Sequence, residues 1–347
     1  DTFNNFENII GSLKSDTLSG DNKPNTIYGS DGNDVIKGRG GGDRLDGGKG
    51  SNTLSYRDSR SGVKVDLTSG VCQGGDAEGD VISNFSDIIS TSYNDVLTGT
   101  DTRNSIHAGG GNDIVEGKGG GDKLDGGEGI DTVVYSSSST GISIDLELGT
   151  SFATDDPDVK DEIRNFENVI GSEYNDELIG DHNNNIMEGG EGSDDIYGVG
   201  GIDSVSYRNS GKGVKVDLSI VEQEDGDRLH DIENIIGSRY NDVLTGDQGD
   251  NLIESGGGND VLTGGKGRDV FRITNAKGVV RIKDFEYGDK VDFSGFKDIR
   301  SFNDVKSKMS STGYAFGNSV IKLGATEVVV EGVRSLYEEN VLHQSKI

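Results

Sequence analysis

Gly29-Ser-Asp-Gly-Asn-Asp-Val-Ile-Lys37 is followed without a gap by Gly38-Arg-Gly-Gly-Gly-Asp-Arg-Leu-Asp46. Both nonapeptides carry Asp at the sixth place (Asp34, Asp43) and an aliphatic residue at the eighth (Ile36, Leu45). The frame runs from Gly11 to Ser55, with Asp16, Asn25, Asp34, Asp43 and Asn52 at place six and Leu18, Ile27, Ile36, Leu45 and Leu54 at place eight. A second block begins at Ser90 (Asp95, Asn104, Asp113, Asp122, Asp131), a third at Gly171 (Asp176, Asn185, Asp194, Asp203) and a fourth at Gly237 (Asp242, Asn251, Asp260, Asp269). An internal repeat of this kind decides the architecture before any single residue does.

The physics of one unit points to chemistry. Glycine permits a tight turn that aims carbonyls at a common point. The following triplet, such as Ile114-Val115-Glu116, reads as extended, with its middle side chain on the opposite face from its neighbours. One unit buries almost nothing, whereas stacked units bury a column of Leu, Ile and Val and pair in parallel ladders. Short carboxylates beside carbonyls form the oxygen-rich environment that Ca²⁺ prefers.

Composition agrees. Among 347 residues 56 are Gly and 2 are Pro, which excludes collagen and a Pro-rich linker. There are 62 acidic residues (42 Asp, 20 Glu) against 33 basic ones, for a net charge of −29. Such a charge excludes a nucleic-acid-binding surface. No apolar run is long enough to span a membrane. The one cysteine, Cys72, cannot form an internal disulfide.

Connectors repeat too. Gly62-Val-Lys-Val-Asp-Leu67, Gly141-Ile-Ser-Ile-Asp-Leu146 and Gly213-Val-Lys-Val-Asp-Leu218 are equivalent, and each alternates as a half-buried strand does. Asn84-Phe-Ser-Asp-Ile-Ile89, Asn165-Phe-Glu-Asn-Val-Ile170 and Asp231-Ile-Glu-Asn-Ile-Ile236 follow, and Asn5-Phe-Glu-Asn-Ile-Ile10 matches them. The expected division is a connector end (1–10), block one (11–55), a connector (56–89), block two (90–134), a connector (135–170), block three (171–206), a connector (207–236), block four (237–272) and a β-rich cap (273–347). The opening inside a connector suggests the C-terminal part of a longer protein.

The unit G-G-x-G-x-D-x-U-x resembles the haemolysin-type calcium-binding repeat of the RTX (repeats-in-toxin) family, over all four blocks and, through the connectors, over residues 1–272. The resemblance implies an all-β fold, a parallel β-roll with two nonapeptides per coil. It also implies Ca²⁺ between loops two units apart, up to ten ions, with four to eight strong ones centred on the third and fourth units. In block one the candidate ligand residues are Asp34 and Asp43 with Gly29, Asp31, Gly32, Gly40, Gly47 and Gly50. Block two offers Asp95, Asp113, Asp122 and Asp131 with Gly109, Gly111, Gly120, Gly127 and Gly129. Block three offers Asp176, Asp194 and Asp203 with Gly190 and Gly192. Block four offers Asp242, Asp260 and Asp269 with Gly256, Gly258, Gly265 and Gly267. Asn at place six (Asn25, Asn52, Asn104, Asn185, Asn251) departs from the pattern and removes a charge.

Beyond Phe271 the sequence predicts strands over 279–285 and 289–294, a short helix capped by Ser301 and running to about Met309, and a hairpin of 319–323 with 327–331 around Gly324-Ala325. This order resembles the cap of RTX proteins exported by type I secretion machinery, whose ending carries the export signal. The resemblance implies a secreted, extracellular bacterial module without catalytic residues. His107, His182, His230 and His343 stand in no metal-ligand spacing, and neither HExxH nor GxSxG occurs. A basic group (Lys37, Arg39, Arg44, Lys49, with Lys118 and Lys123 in block two) suggests charge relief on an acidic rod, the alternative being an adhesin-like surface for an anionic polysaccharide such as alginate. Tyr93, Tyr174 and Tyr240, and also Tyr56, Tyr135 and Tyr207, are expected to pack at block junctions.

Overall fold

The computed structural model describes residues 7–274, 276–312 and 317–344. Part of the opening connector (Asn5, Phe6) and the last three residues of the tail lie outside them. The chain forms two compact units, Asp1–Glu173 and Tyr174–Ile347.

In the first unit, places seven to nine of successive nonapeptides form the three-residue strands Thr17–Ser19, Thr26–Tyr28, Val35–Lys37, Arg44–Asp46 and Thr53–Ser55. They pair in parallel with the strand two nonapeptides away: Thr17 faces Val35, Thr26 faces Arg44 and Val35 faces Thr53. One coil is therefore eighteen residues, and consecutive units alternate between two facing sheets. A parallel sheet needs cover on its apolar face, and each sheet is the other's cover. The eighth residues Ile27, Ile36, Leu45 and Leu54 are wholly buried between them. Block two repeats the register, Val96 facing Ile114 and Ser105 facing Lys123. In the second unit Glu177 faces Asp195 and Val243 faces Val261. Leu178, Met187, Ile196 and Val205, then Leu244, Ile253, Leu262 and Phe271, form the buried column of this unit. The fold is an all-β parallel roll, as the repeat predicts.

Each connector is an antiparallel excursion that rejoins the stack. Lys64–Asp66 pairs with the first strand of the following block and with Val71–Gln73. The chain returns as Val81–Ser83 on Arg44–Asp46 and Asp87–Ile89 on Thr53–Ser55. The next excursion uses Ile142–Asp145, Thr150–Ala153 and Asp156–Arg164. The sequence marks the first strand of each excursion and the string that directly precedes the next block, such as Asp87–Ile89, but not the strands between them, such as Val71–Gln73 and Val81–Ser83, which have no fixed spacing from the repeat. Cys72 is a buried free thiol on one returning strand, and burial pushes it up to about 12.

The cap begins with Gly278–Ile282 and Lys290–Asp292, which continue the two columns. Ser301 caps the helix Phe302–Ser307, accepting the Asp304 N–H. The helix ends short of Met309, because Met309–Thr312 pairs as a strand with Asn318–Leu323. That strand forms the expected hairpin with Thr326–Val330. No helix among the described residues is long and apolar enough to cross a membrane.

Candidate metal centres

The sixth side chains are as deeply buried as the aliphatic column: Asp34, Asp131, Asp194 and Asp203 are 0% exposed, and Asp43, Asp113, Asp122 and Asp260 are 1% exposed. Register explains how a carboxylate comes to lie there. One oxygen, Oδ1, caps the strand of the neighbouring coil by accepting the N–H of place six eighteen residues earlier. Asp34 accepts from Asp16 at 2.8 Å, Asp113 from Asp95 at 2.7 Å, Asp194 from Asp176 at 2.9 Å and Asp260 from Asp242 at 3.1 Å.

The other oxygen depends on place two. In the first two nonapeptides of a block, place two has negative φ and donates its N–H to the sixth side chain of its own unit. Thr91 N–H reaches Asp95 Oδ2 at 3.0 Å, Ser238 N–H reaches Asp242 Oδ2 at 2.7 Å, and Asp21 and Asp247 reach Asn25 and Asn251 at 2.8 Å. In the third to fifth nonapeptides, place two has positive φ: Ser30, Arg39, Gly48, Gly109, Lys118, Gly127, Gly190, Val199, Gly256 and Gly265. The N–H then turns away. Oδ2 of Asp34, Asp43, Asp113, Asp122, Asp131, Asp194, Asp203 and Asp260 is left buried without a hydrogen-bond partner.

A second acceptor lies beside the stranded oxygen. A methyl group on Gly29 would sit 2.4 Å from Asp34 Oδ2 and 2.4 Å from the Gly47 carbonyl oxygen. Glycine is favoured at this position by the close approach, and the space holds a carboxylate and a carbonyl without a donor. Burying an ionised carboxylate without compensation is costly. Burial accordingly pushes Asp43, Asp113, Asp122 and Asp260 up to about 7 and Asp194 up to about 8, with neighbouring carboxylates adding to the effect. Acceptors that face each other in a buried space are satisfied by a cation, and the oxygen-only donor set suits Ca²⁺.

No group of three or more His, Cys, Asp or Glu side chains converges among the described residues. The donor set is instead one or two carboxylates with carbonyls. Asp95 and Asp242, candidate ligands by sequence, have both oxygens engaged: Oδ1 accepts from Val63 and Val214, and Oδ2 from Thr91 and Ser238. Asp31 turns its carboxylate to Lys49 at 3.2 Å on the surface. Asp176 is buried, and Asp269 Oδ1 accepts the Asn251 N–H at 2.9 Å. Gly32, Gly50, Gly111, Gly120, Gly129, Gly192, Gly258 and Gly267, at place four, have positive φ in the turn. Gly40 lies in the same turn of its unit, where a methyl group would make only an ordinary contact, 3.8 Å from Asp76 Oδ1.

Four aspartates escaped the sequence reading. Asp80, Asp161, Asp227 and Asp289 take over the capping role where the repeat stops, accepting the N–H of Asp43 (2.6 Å), Asp122 (2.8 Å), Asp194 (2.9 Å) and Asp269 (3.0 Å). Each is followed by a variable residue and a buried aliphatic one, Ile82, Ile163, Leu229 or Val291. That D-x-U string is the second half of the repeat without its glycines, and it is the signal that could have found them.

Other expectations divide. Lys37, Lys49 and Lys123 pair with Asp58, Asp31 and Glu162 at 2.7, 3.2 and 3.0 Å, which fits charge relief. Tyr56, Tyr135 and Tyr207 are buried as expected, whereas Tyr93, Tyr174 and Tyr240 are about half exposed at the loop surface. Their place-four position in the loop points the ring outward.

A parallel roll with carboxylates facing carbonyls in its turns is the architecture of a cation-binding repeat protein. Residues 19–54, 89–124, 98–133, 170–205 and 236–271 match the family model of the RTX calcium-binding nonapeptide repeat (4 copies). The chain thus carries RTX calcium-binding nonapeptide repeats in all four blocks, and repeats of this kind make it a calcium-binding module. Comparison with curated proteins gives no match. Among solved structures it is similar to the extracellular lipase LipA from Serratia marcescens, at 14% identity and a TM-score of 0.24 over 74% of this chain. The matched region spans 39% of that lipase.

Proposed function

We propose that this chain binds several Ca²⁺ ions from the third nonapeptide of each block onward, at the stranded carboxylates named above, and folds as they bind. The division into four blocks, connectors and cap is part of the same proposal. The observation that carries it is the set of eight buried carboxylate oxygens without a partner among the described residues, all at place six. One aliphatic side chain per nine ordered residues is a thin core against chain entropy. Each divalent ion cancels two of the 29 net negative charges and stabilises the folded form by mass action.

The setting that fits is export. Where calcium is scarce, self-repulsion keeps the polyanion open and able to thread the type I secretion machinery. Where calcium is plentiful, the roll closes and supports the folding of a larger extracellular bacterial protein, whose own activity resides in other segments. Circular dichroism during a calcium titration tests this, with Mg²⁺ as the control. The expected result is a cooperative gain of β structure with Ca²⁺ only. A chain already fully β in chelator, and unchanged by Ca²⁺, overturns the proposal.

A further inference from the structure

The last nonapeptide of each of the first three blocks meets its connector through one shared geometry with two chemistries. In block one, Asn52 Oδ1 accepts the Asp34 N–H at 2.9 Å, and Asn52 Nδ2 donates to the Asn84 carbonyl at 3.1 Å. Asn84 has a φ of 59°. The junction is a closed donor–acceptor pair.

In block two, Asp131 stands in place of Asn52. Its Oδ1 accepts the Asp113 N–H at 2.7 Å. The equivalent connector carbonyl belongs to Asn165, with a φ of 55°. A methyl on Gly126 would lie 2.2 Å from that carbonyl oxygen and 2.7 Å from Asp131 Oδ2, so the two acceptors crowd one space. Asp131 is 0% exposed and its Oδ2 has no hydrogen-bond partner. Block three repeats this with Asp203, also 0% exposed and with Oδ2 unpartnered, against the Asp231 carbonyl at Gly198. The amide donor of block one has become an acceptor in both.

A second residue changes in step. Ser86 in the first connector is Glu167 and Glu233 in the others. Glu167 Oε2 accepts the Asp131 N–H at 2.8 Å, and Glu233 Oε2 accepts the Asp203 N–H at 2.8 Å. Each glutamate also brings a second carboxylate close to one already buried without a partner, an arrangement in which like charges disfavour one another unless a cation lies between them. The paired change is accounted for by a bound cation.

We propose that the Asp131–Glu167 and Asp203–Glu233 junctions each hold one Ca²⁺ between the last repeat and its connector, and that the Asn52–Ser86 junction holds none. The matches to the nonapeptide family end at residues 133 and 205, and so do not include either glutamate. The proposal rests on the calcium-binding reading of the repeats, and its test separates the two.

Bound calcium per folded chain is measured by elemental analysis after gel filtration in dilute CaCl₂, with circular dichroism to confirm the roll. The pair Asp131→Asn with Glu167→Ser copies a junction that this molecule already folds, and is expected to lose one ion. Asp203→Asn with Glu233→Ser is expected to lose one more. The reverse change in block one, Asn52→Asp with Ser86→Glu, is expected to gain one. Folded variants whose stoichiometry equals that of the parent overturn the junction proposal and leave the repeats' calcium binding intact. A parent chain that retains no calcium overturns both.

Discussion

The Tyr56 hydroxyl donates to Asp80 Oδ2 at 2.7 Å, while Asp80 Oδ1 caps the Asp43 strand. The pair recurs as Tyr135 with Asp161 at 2.9 Å and Tyr207 with Asp227 at 3.2 Å. In the repeat the second oxygen of such an aspartate is stranded. At the three connectors a phenol fills the position instead, so the Oδ2 of the aspartate that follows the repeat ends on a hydrogen bond.

Removing that phenol should therefore act on stability. Tyr56→Phe leaves Asp80 Oδ2 buried beside a ring edge, a loss of about 1–3 kcal/mol. Chemical denaturation in saturating Ca²⁺ should show the drop, with the number of bound ions unchanged. A lost ion would mean that the phenol belongs to a metal site.

Place two offers a substitution in the opposite direction. Val199 is β-branched and has a φ of 73°, a conformation that favours glycine. Its side chain is partly exposed, so little burial is lost on removal. Val199→Gly should raise stability by about 1 kcal/mol, the left-handed penalty less the added chain entropy. A matching rise in the urea midpoint would confirm it.

Gly29→Ala should do the reverse. Its methyl would press on the Asp34 carboxylate and the Gly47 carbonyl. Overpacking of this kind costs about 1–3 kcal/mol. Calcium affinity at the first block should fall with it, as a rightward shift of the titration.

The pH dependence has a definite sign. In the metal-free folded chain Asp43, Asp113, Asp122 and Asp260 rise to about 7 and Asp194 to about 8 through burial, against an ordinary value near 4. Raised carboxylates bind protons more tightly in the folded form. Their stabilisation is present below about pH 4 and is lost as pH climbs through 7 to 8. Asp58 and Asp195, held low by Lys37 and Arg228, act oppositely, but only below about pH 4 and at the surface. In chelator the roll should be better folded at pH 5 than at pH 8. With Ca²⁺, protons should be released on binding and affinity should rise over the same interval. A flat profile in both conditions would count against the stranded carboxylates.

Much of this was legible in the chain. Asp34 and Ile36 recur at fixed places, and a period of nine with two faces per coil dictates the partner eighteen residues away. The distinction between Asp95, satisfied, and Asp113, stranded, was not legible. It turns on the φ of one residue, Thr91 against Gly109, and the non-glycine residues Arg39, Lys118 and Val199 adopt the positive angle as well. Asp80 and its kin were hidden because the glycines that frame the repeat are missing there, and only tertiary register restores the alignment.

The excursions carry a consequence for how such a chain changes length. Asp87 stacks on Thr53, Asn168 on Thr132 and Asn234 on Ser204, although the segments that separate these pairs differ in size. Growth or shrinkage at an excursion leaves the rung above and the rung below undisturbed, whereas one residue added within a block shifts every later rung of that block. The hairpin tips, such as Thr68-Ser69, are therefore the ports at which foreign sequence could be spliced into this scaffold.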